Sequence, residues 1–149
     1  MTEATIRAAA EHELSELLDL YRHLHPHDPP LEPAAAERVW STLLRSTFMT
    51  VIVAQAGKRL VSSCTLAIVP NLSRGGRSYG VIENVVTRAD HRQQGLGRRV
   101  LAHALDLAWQ EDCYKVLLAT GSKREATLRF YEGAGFQRGG KTYFEVRRP

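Results

Sequence analysis

Apolar positions along the chain follow two different periods. Leu14, Leu17, Leu18, Tyr21 and Leu24 recur at helical spacing behind the polar Glu11-His12-Glu13, which predicts a helix ending before Pro26. The segment from His23 to Pro33 is rich in His and Pro and cannot be helical throughout. It reads as a loop before a second helix that takes Pro33 into its first turn and carries Val39, Trp40, Leu43 and Leu44 inward. Ala4 to Ala8 reads as a short strand. Phe48 to Ala54 and Leu60 to Val69 read as longer strands, joined as a hairpin through Gln55-Ala56-Gly57-Lys58-Arg59. Asn71 to Arg77 is expected to be an exposed loop, and Ser78 to Thr87 the next strand.

Beyond a polar turn, Leu101, Leu105 and Ala108 mark a helix from about Gly95 to Glu111. Tyr114 to Ala119 is short and almost wholly apolar, as expected of a strand buried on both faces and parallel to its neighbour. Residues 78 to 120 therefore form a βαβ unit, because parallel strands need a crossover. Lys123 to Glu132 makes a last helix ended by Gly133 and Gly135, and Phe136 to Arg148 reads as a final hairpin turning at Gly139-Gly140. No repeat, linker or second domain interrupts this order. The 149 residues, 44% of them hydrophobic, fit one domain that buries roughly 70% of its unfolded surface.

Composition narrows the function by exclusion. Residues 1 to 5 show no basic stretch leading into an apolar run, and no segment approaches the roughly 20 apolar residues that span a bilayer. Cys64 and Cys113 lie in apolar runs without metal or redox spacing, which fits reduced core thiols and a cytoplasmic protein. The formal charge of +4 is scattered rather than gathered into a patch, so nucleic acid is not the expected partner. His23, His25 and His27 alternate in a loop with only Asp28 beside them, and no metal site is expected there.

The chemistry concentrates at Arg92-Gln93-Gln94-Gly95-Leu96-Gly97-Arg98. The glycines fall where a helix begins, so unpaired N–H groups and the positive helix end face outward as a cradle for a pyrophosphate. Arg92 and Arg98 can add charge-assisted hydrogen bonds. The third glycine of a dinucleotide fingerprint would fall at Val100, and no Gly-Lys-Ser/Thr follows for a P-loop. Taken alone, the glycines also suit a plain tight turn.

Arg92 to Gly97 resembles the signature of the GNAT superfamily of acyl-CoA-dependent N-acyltransferases, Arg/Gln-x-x-Gly-x-Gly/Ala, at every fixed position. The resemblance extends through Ile82-Glu83-Asn84-Val85-Val86-Thr87 and through the segment from Ala126 to Phe136, and covers about the C-terminal half. It implies an α/β fold, a mixed, centrally splayed sheet of six or seven strands flanked by four helices, with acetyl-CoA as co-substrate. By the same resemblance the backbone of Val85, Val86 and Thr87 pairs with the pantetheine arm, and Arg92, Gln93, Gln94, Gly95, Leu96, Gly97 and Arg98 hold the pyrophosphate. The family's asparagine seven residues before the tyrosine is replaced by Arg124. The resemblance also allows a homodimer through the last strands, served here by Tyr143-Phe144-Glu145-Val146.

Direct acyl transfer needs a neutral amine, a stabilised oxyanion and a proton for the departing thiolate. Tyr131 matches the family's tyrosine near the sulfur and is the candidate acid, against the alternative of an aromatic packed in the core. Glu83 is a carboxylate in an otherwise apolar strand. Alternation places it beside Val85 and Thr87, where partial burial would raise its pKa and suit it as the base. A Glu that only pairs with an arginine is the competing reading. The backbone N–H of Val85 is implied as the oxyanion donor. Arg74 and Arg77 are either anion contacts or solvated surface charges. Val81 to Val86 and Asp112 to Val116 resemble the glucosamine-6-phosphate N-acetyltransferase branch, although Asn84 stands where that branch usually has Asp and the link from 119 to 131 is longer. The expectation is acetylation of a small-molecule primary amine. The alternatives are a protein N-terminus or lysine as acceptor, or a CoA-binding module without catalysis.

Overall fold

A computed structural model describes residues 3–149; residues 1 and 2, at the start of the stretch read for a leader, lie outside them. One sheet holds five strands in chain order, β1 (Ala4–Ala8), β2 (Met49–Ala56), β3 (Arg59–Val69), β4 (Tyr79–Thr87) and β5 (Val116–Leu118). The first four pair antiparallel, and β5 runs parallel to β4 across the helix α3 (Leu96–Gln110). The helices α1 (Leu14–Tyr21) and α2 (Pro33–Arg45) connect β1 to β2, and α4 (Glu125–Gly133) follows β5.

Period-2 alternation gives the sheet two apolar faces. On one, Val100, Leu101, Ala104 and Ala108 of α3 pack against Ile52, Cys64, Leu66 and Ile82. On the other, Leu17, Leu20 and Trp40 cover Val51, Val53, Leu60 and Val86. Local chemistry fixes the helix starts. Glu13 accepts from the Ala10 N–H at 2.7 Å and takes both guanidinium ends of Arg7, which ties β1 to the entry of α1. Glu32 caps α2 by accepting from the Ala34 and Ala35 N–H groups, with Pro33 opening the first turn. The Trp40 Nε1 donates to the Glu11 carbonyl at 2.8 Å.

Three expectations need correction. The inward stripe of α2 is Ala36, Trp40 and Leu43; Val39 and Leu44 flank it and are 54% and 40% exposed. The β2–β3 turn is tighter than read, because Ala56 pairs with Arg59 and leaves only Gly57-Lys58 to turn, with Gly57 at φ +60°. The largest difference lies at the C-terminus. β5 is three residues long and Leu117 is 40% exposed, so it is an edge strand and not one buried on both faces. The hairpin expected over Phe136 to Arg148 does not form: residues 137–149 hold no helix or strand and every one is exposed. A lone hairpin is marginal in water without a third strand, and neither half reaches the open edge of β5. The sheet therefore has five strands where six or seven were expected.

Candidate active site

The site begins with a β-bulge. Thr65 pairs with Glu83 and Ser63 with Val86, so Asn84 and Val85 together oppose Cys64. Asn84 sits in the left-handed region at φ +53°, which asparagine tolerates better than its branched neighbours would. The extra residue exchanges the faces of the strand. Ile82 packs on the α3 side before the bulge; after it Val85 lies on that side and Val86 packs with α1 and α2. Glu83, one position from Ile82, consequently faces away from Val85 and Thr87 rather than beside them. It is also exposed rather than partly buried, so water solvates its carboxylate. Cys64, opposite the bulge, is fully buried, and burial pushes its thiol to about 12, which leaves it protonated and unreactive at neutral pH.

The sheet opens next to the bulge. Pairing between β4 and β5 covers Gly80 to Ile82 and ends at Ile82 opposite Leu118. From Glu83 to Thr87 the β5 side of β4 carries no ladder, the kind of edge that an extended ligand arm joins as an added strand, with the Thr87 carbonyl already accepting from Arg92. Val85, Val86 and Thr87 stand along this edge, although the side chain of Val86 is 5% exposed and belongs to the core. Its backbone pairs with Ser63 of β3, and its carbonyl accepts from the Ser62 hydroxyl at 2.9 Å.

At the end of this edge the chain turns into α3. Gln93 at φ +62° and Gly95 at φ +77° bend the loop so that the first turn of a 15-residue helix faces open space. No side chain caps that helix, and its first turn holds no acidic residue. A Cβ on Gly95 would meet nothing within 4 Å but would be held in the left-handed conformation. Gly97 is constrained by packing instead: a Cβ there would lie 3.0 Å from the Phe130 ring and 3.4 Å from the Thr87 hydroxyl. The first turn of α3 is thus seated where the end of β4 meets α4. An uncapped helix start with a close-packed glycine and an open approach is the donor set a pyrophosphate needs, so the residues fit the phosphates of CoA. Gln94 and Arg98 are exposed beside it, and Leu96 is buried in the core.

Side chains around the loop brace it against α1. Arg92 donates from Nε to the Thr87 carbonyl at 3.1 Å and from Nη2 to the His23 carbonyl at 3.4 Å, so in this state it holds backbone. The Ala89 N–H donates to His23 Nδ1 at 3.2 Å. Arg88, 8% exposed, pairs with Asp19 at 2.9 Å, and that hydrogen bond holds the Asp19 carboxyl below the usual carboxylate range. The sequence reading missed Arg88 and Asp19. An arginine closing an apolar strand was their one visible trace. Arg77 is taken by Asp112 at 2.9 Å and Arg74 lies over the Tyr114 ring, so both belong to surface pairs. Among the described residues no three His, Cys, Asp or Glu side chains gather as metal ligands.

Tyr131 is half-buried on α4, edge-on to Phe130 at 4.9 Å and to Phe136 at 6.4 Å between ring centroids. Burial raises its hydroxyl above the ordinary phenol range, with Cys64 and Glu83 adding to the effect, so the proton is present at neutral pH. Tyr21, read from sequence only as a packing residue of α1, faces Ser63, Thr65 and Asn84 at the bulge. Burial pushes its hydroxyl up as well, partly offset by those three side chains. The bulge, the edge of β4 and the start of α3 follow one another along the chain, and Val85, Leu96 and Tyr131 pack on the same core. Arg124, in the family's asparagine position, is exposed at the start of α4 and makes no capping bond with its side chain.

Comparison with known proteins agrees with this geometry. Residues 14–136 match the model of the Acetyltransferase (GNAT) family. The chain is 33% identical over 138 residues to glucosamine 6-phosphate N-acetyltransferase of Trypanosoma brucei brucei, covering 92% of this chain and 91% of that one. A structure from Agrobacterium tumefaciens str. C58, described as an acetyltransferase, superposes with a TM-score of 0.92 at 42% identity over 97% of this chain and 99% of that chain. An aminoglycoside N-acetyltransferase solved in complex with CoA shares the fold, with a TM-score of 0.82 at 16% identity over 100% of this chain and 97% of that chain. Fold and relatives agree that this chain belongs to the GNAT family and is an acetyl-CoA-dependent N-acetyltransferase.

Proposed function

We propose that the enzyme acetylates the primary amine of a small molecule, an amino-sugar phosphate of the glucosamine 6-phosphate kind, with residues 1–149 acting as one N-acetyltransferase domain. The observation that carries this is the 33% identity to the trypanosomal glucosamine 6-phosphate N-acetyltransferase, which runs through nearly the full length of both chains. Two buried, unpaired thiols accord with a reducing, cytoplasmic setting.

Acetyl-CoA supplies an acyl group activated as a thioester. The N–H groups at the start of α3, helped by Gln94 and Arg98, bind its phosphates, and the free edge of Val85 to Thr87 aligns the arm toward the bulge. Glu83, exposed on β4, takes the proton that frees the amine lone pair, directly or through water. As the amine nitrogen bonds to the carbonyl carbon, the Val85 N–H donates to the oxygen on which charge builds. When the carbon–sulfur bond breaks, the Tyr131 hydroxyl gives its proton to the thiolate, and the proton that the nitrogen sheds as the amide forms returns through water to the tyrosinate. The transfer as written uses no metal.

The test is thiol release from acetyl-CoA with glucosamine 6-phosphate, glucosamine, aminoglycosides, polyamines and peptides as acceptors. Turnover highest with glucosamine 6-phosphate supports the reading. Turnover confined to peptides would replace it with protein acetylation.

A further inference from the structure

α1 carries one residue that its own packing does not call for. Leu14, Leu17, Leu20 and Leu24 fill its inward stripe with aliphatic side chains, and Tyr21 stands among them. A hydroxyl taken out of water costs free energy unless a partner meets it, so a leucine would pack there at less cost. The Tyr21 hydroxyl is instead carried to the bulge, where Ser63, Thr65 and Asn84 surround it. Thr65 lies directly opposite Glu83 in the β3–β4 ladder, so those two side chains share one face. Cys64 and Leu66, on either side of Thr65, pack toward α3, which makes that face the one turned to α1. Two tethers hold Tyr21 in place. Asp19, two residues before it, pairs with Arg88 at 2.9 Å, and His23, two residues after it, accepts from the Ala89 N–H at 3.2 Å.

We propose that Tyr21 is a further substrate-contacting residue of the transfer, its phenolic oxygen accepting one N–H of the acceptor amine so that the nitrogen lone pair points at the thioester carbon. This rests on the reading that a primary amine approaches Glu83. Once Glu83 has taken one proton from the ammonium, the nitrogen keeps two N–H bonds and one lone pair. A freely rotating amine presents that lone pair in many directions, and holding it in one of them lowers the entropic part of the barrier. The phenolic proton goes to the Thr65 hydroxyl or the Asn84 carboxamide oxygen, which leaves the Tyr21 oxygen facing the amine as an acceptor. Burial of the hydroxyl keeps the phenol protonated at neutral pH, so no second negative charge gathers beside Glu83.

Steady-state kinetics of Tyr21→Phe, with glucosamine 6-phosphate and acetyl-CoA varied in turn, test the assignment. The kcat/KM for the amine is expected to fall about 10-fold or more, with the KM for acetyl-CoA and the melting temperature unchanged. Thr65→Val removes a partner of the phenol and keeps the shape of the side chain. It is expected to give the same pattern with a smaller loss, and it decides the matter if Tyr21→Phe fails to fold. Equal kcat/KM for the amine in wild type and Tyr21→Phe would overturn the proposal. A loss matched by a raised KM for acetyl-CoA and a lower melting temperature would overturn it too, leaving Tyr21 as a packing residue. If the wild type prefers another amine of the panel, the same comparison with that amine lets the substrate reading fail while the role of Tyr21 stands. Wild-type turnover of glucosamine 6-phosphate that Tyr21→Phe retains in full is the reverse case. No turnover of any amine by the wild type would remove both.

Discussion

The two ends of the sheet reach different degrees of closure. Around β1 to β4, apolar side chains on both faces meet α1, α2 and α3, and Ile52, Val53, Val61, Val100 and Leu101 are 0% exposed. Around β5 and α4, by contrast, Phe130, Tyr131 and Phe136 are only partly buried and Tyr143, Phe144 and Val146 face solvent. Periodicity tells which residues seek cover and not where the cover comes from. The proposed site lies on the border, with β4 and the start of α3 in the closed half and the proposed acid, Tyr131, in the open one.

Substitutions should separate the two halves by the size of their effects. Leu101→Ala, in the closed half, is expected to cost about 2–5 kcal/mol in urea unfolding. Glu13→Gln, which removes the charge and one of the two oxygens that serve Arg7 and the Ala10 N–H, should cost about 2 kcal/mol at pH 7. The hydrogen bond from Arg7 holds the Glu13 carboxyl below its ordinary range in the folded state. That stability is fully present above the ordinary carboxylate range and disappears as the pH falls through the folded value, so the gap between wild type and Glu13→Gln should narrow on acidification. Gly97→Ala pushes a methyl against Phe130 and Thr87 and should weaken acetyl-CoA binding by about 1–3 kcal/mol, read as a raised KM. Leu128→Ala, on the half-covered α4, should cost about 1 kcal/mol or less. A loss there as large as at Leu101 would erase the contrast.

Much of this was legible in the sequence. The order of elements, the βαβ unit and the glycine-rich helix start follow from period and turn chemistry, because each depends on residues close together in the chain. The bulge at Asn84 does not. It exists only in the register of β4 against β3, and nothing in Ile82 to Thr87 announces that Glu83 and Val85 face opposite ways. The pairing of Arg88 with Asp19, 69 residues apart, is hidden for the same reason. On α2, Val39 and Leu44 fit a helical stripe by composition, but the strip that β2 receives is narrow enough for Ala36, Trp40 and Leu43 alone. The final hairpin failed because alternation marks a strand without naming the edge it joins.

The central claim is that acyl transfer occurs at this site with Tyr131 as the acid. Steady-state kinetics of Tyr131→Phe against wild type test it most directly, with acetyl-CoA varied and the melting temperature measured on the same samples. The account predicts a kcat lowered about 100-fold or more, with the KM for acetyl-CoA and the melting temperature little changed. A kcat equal to that of wild type would contradict it and leave Tyr131 as a packing residue.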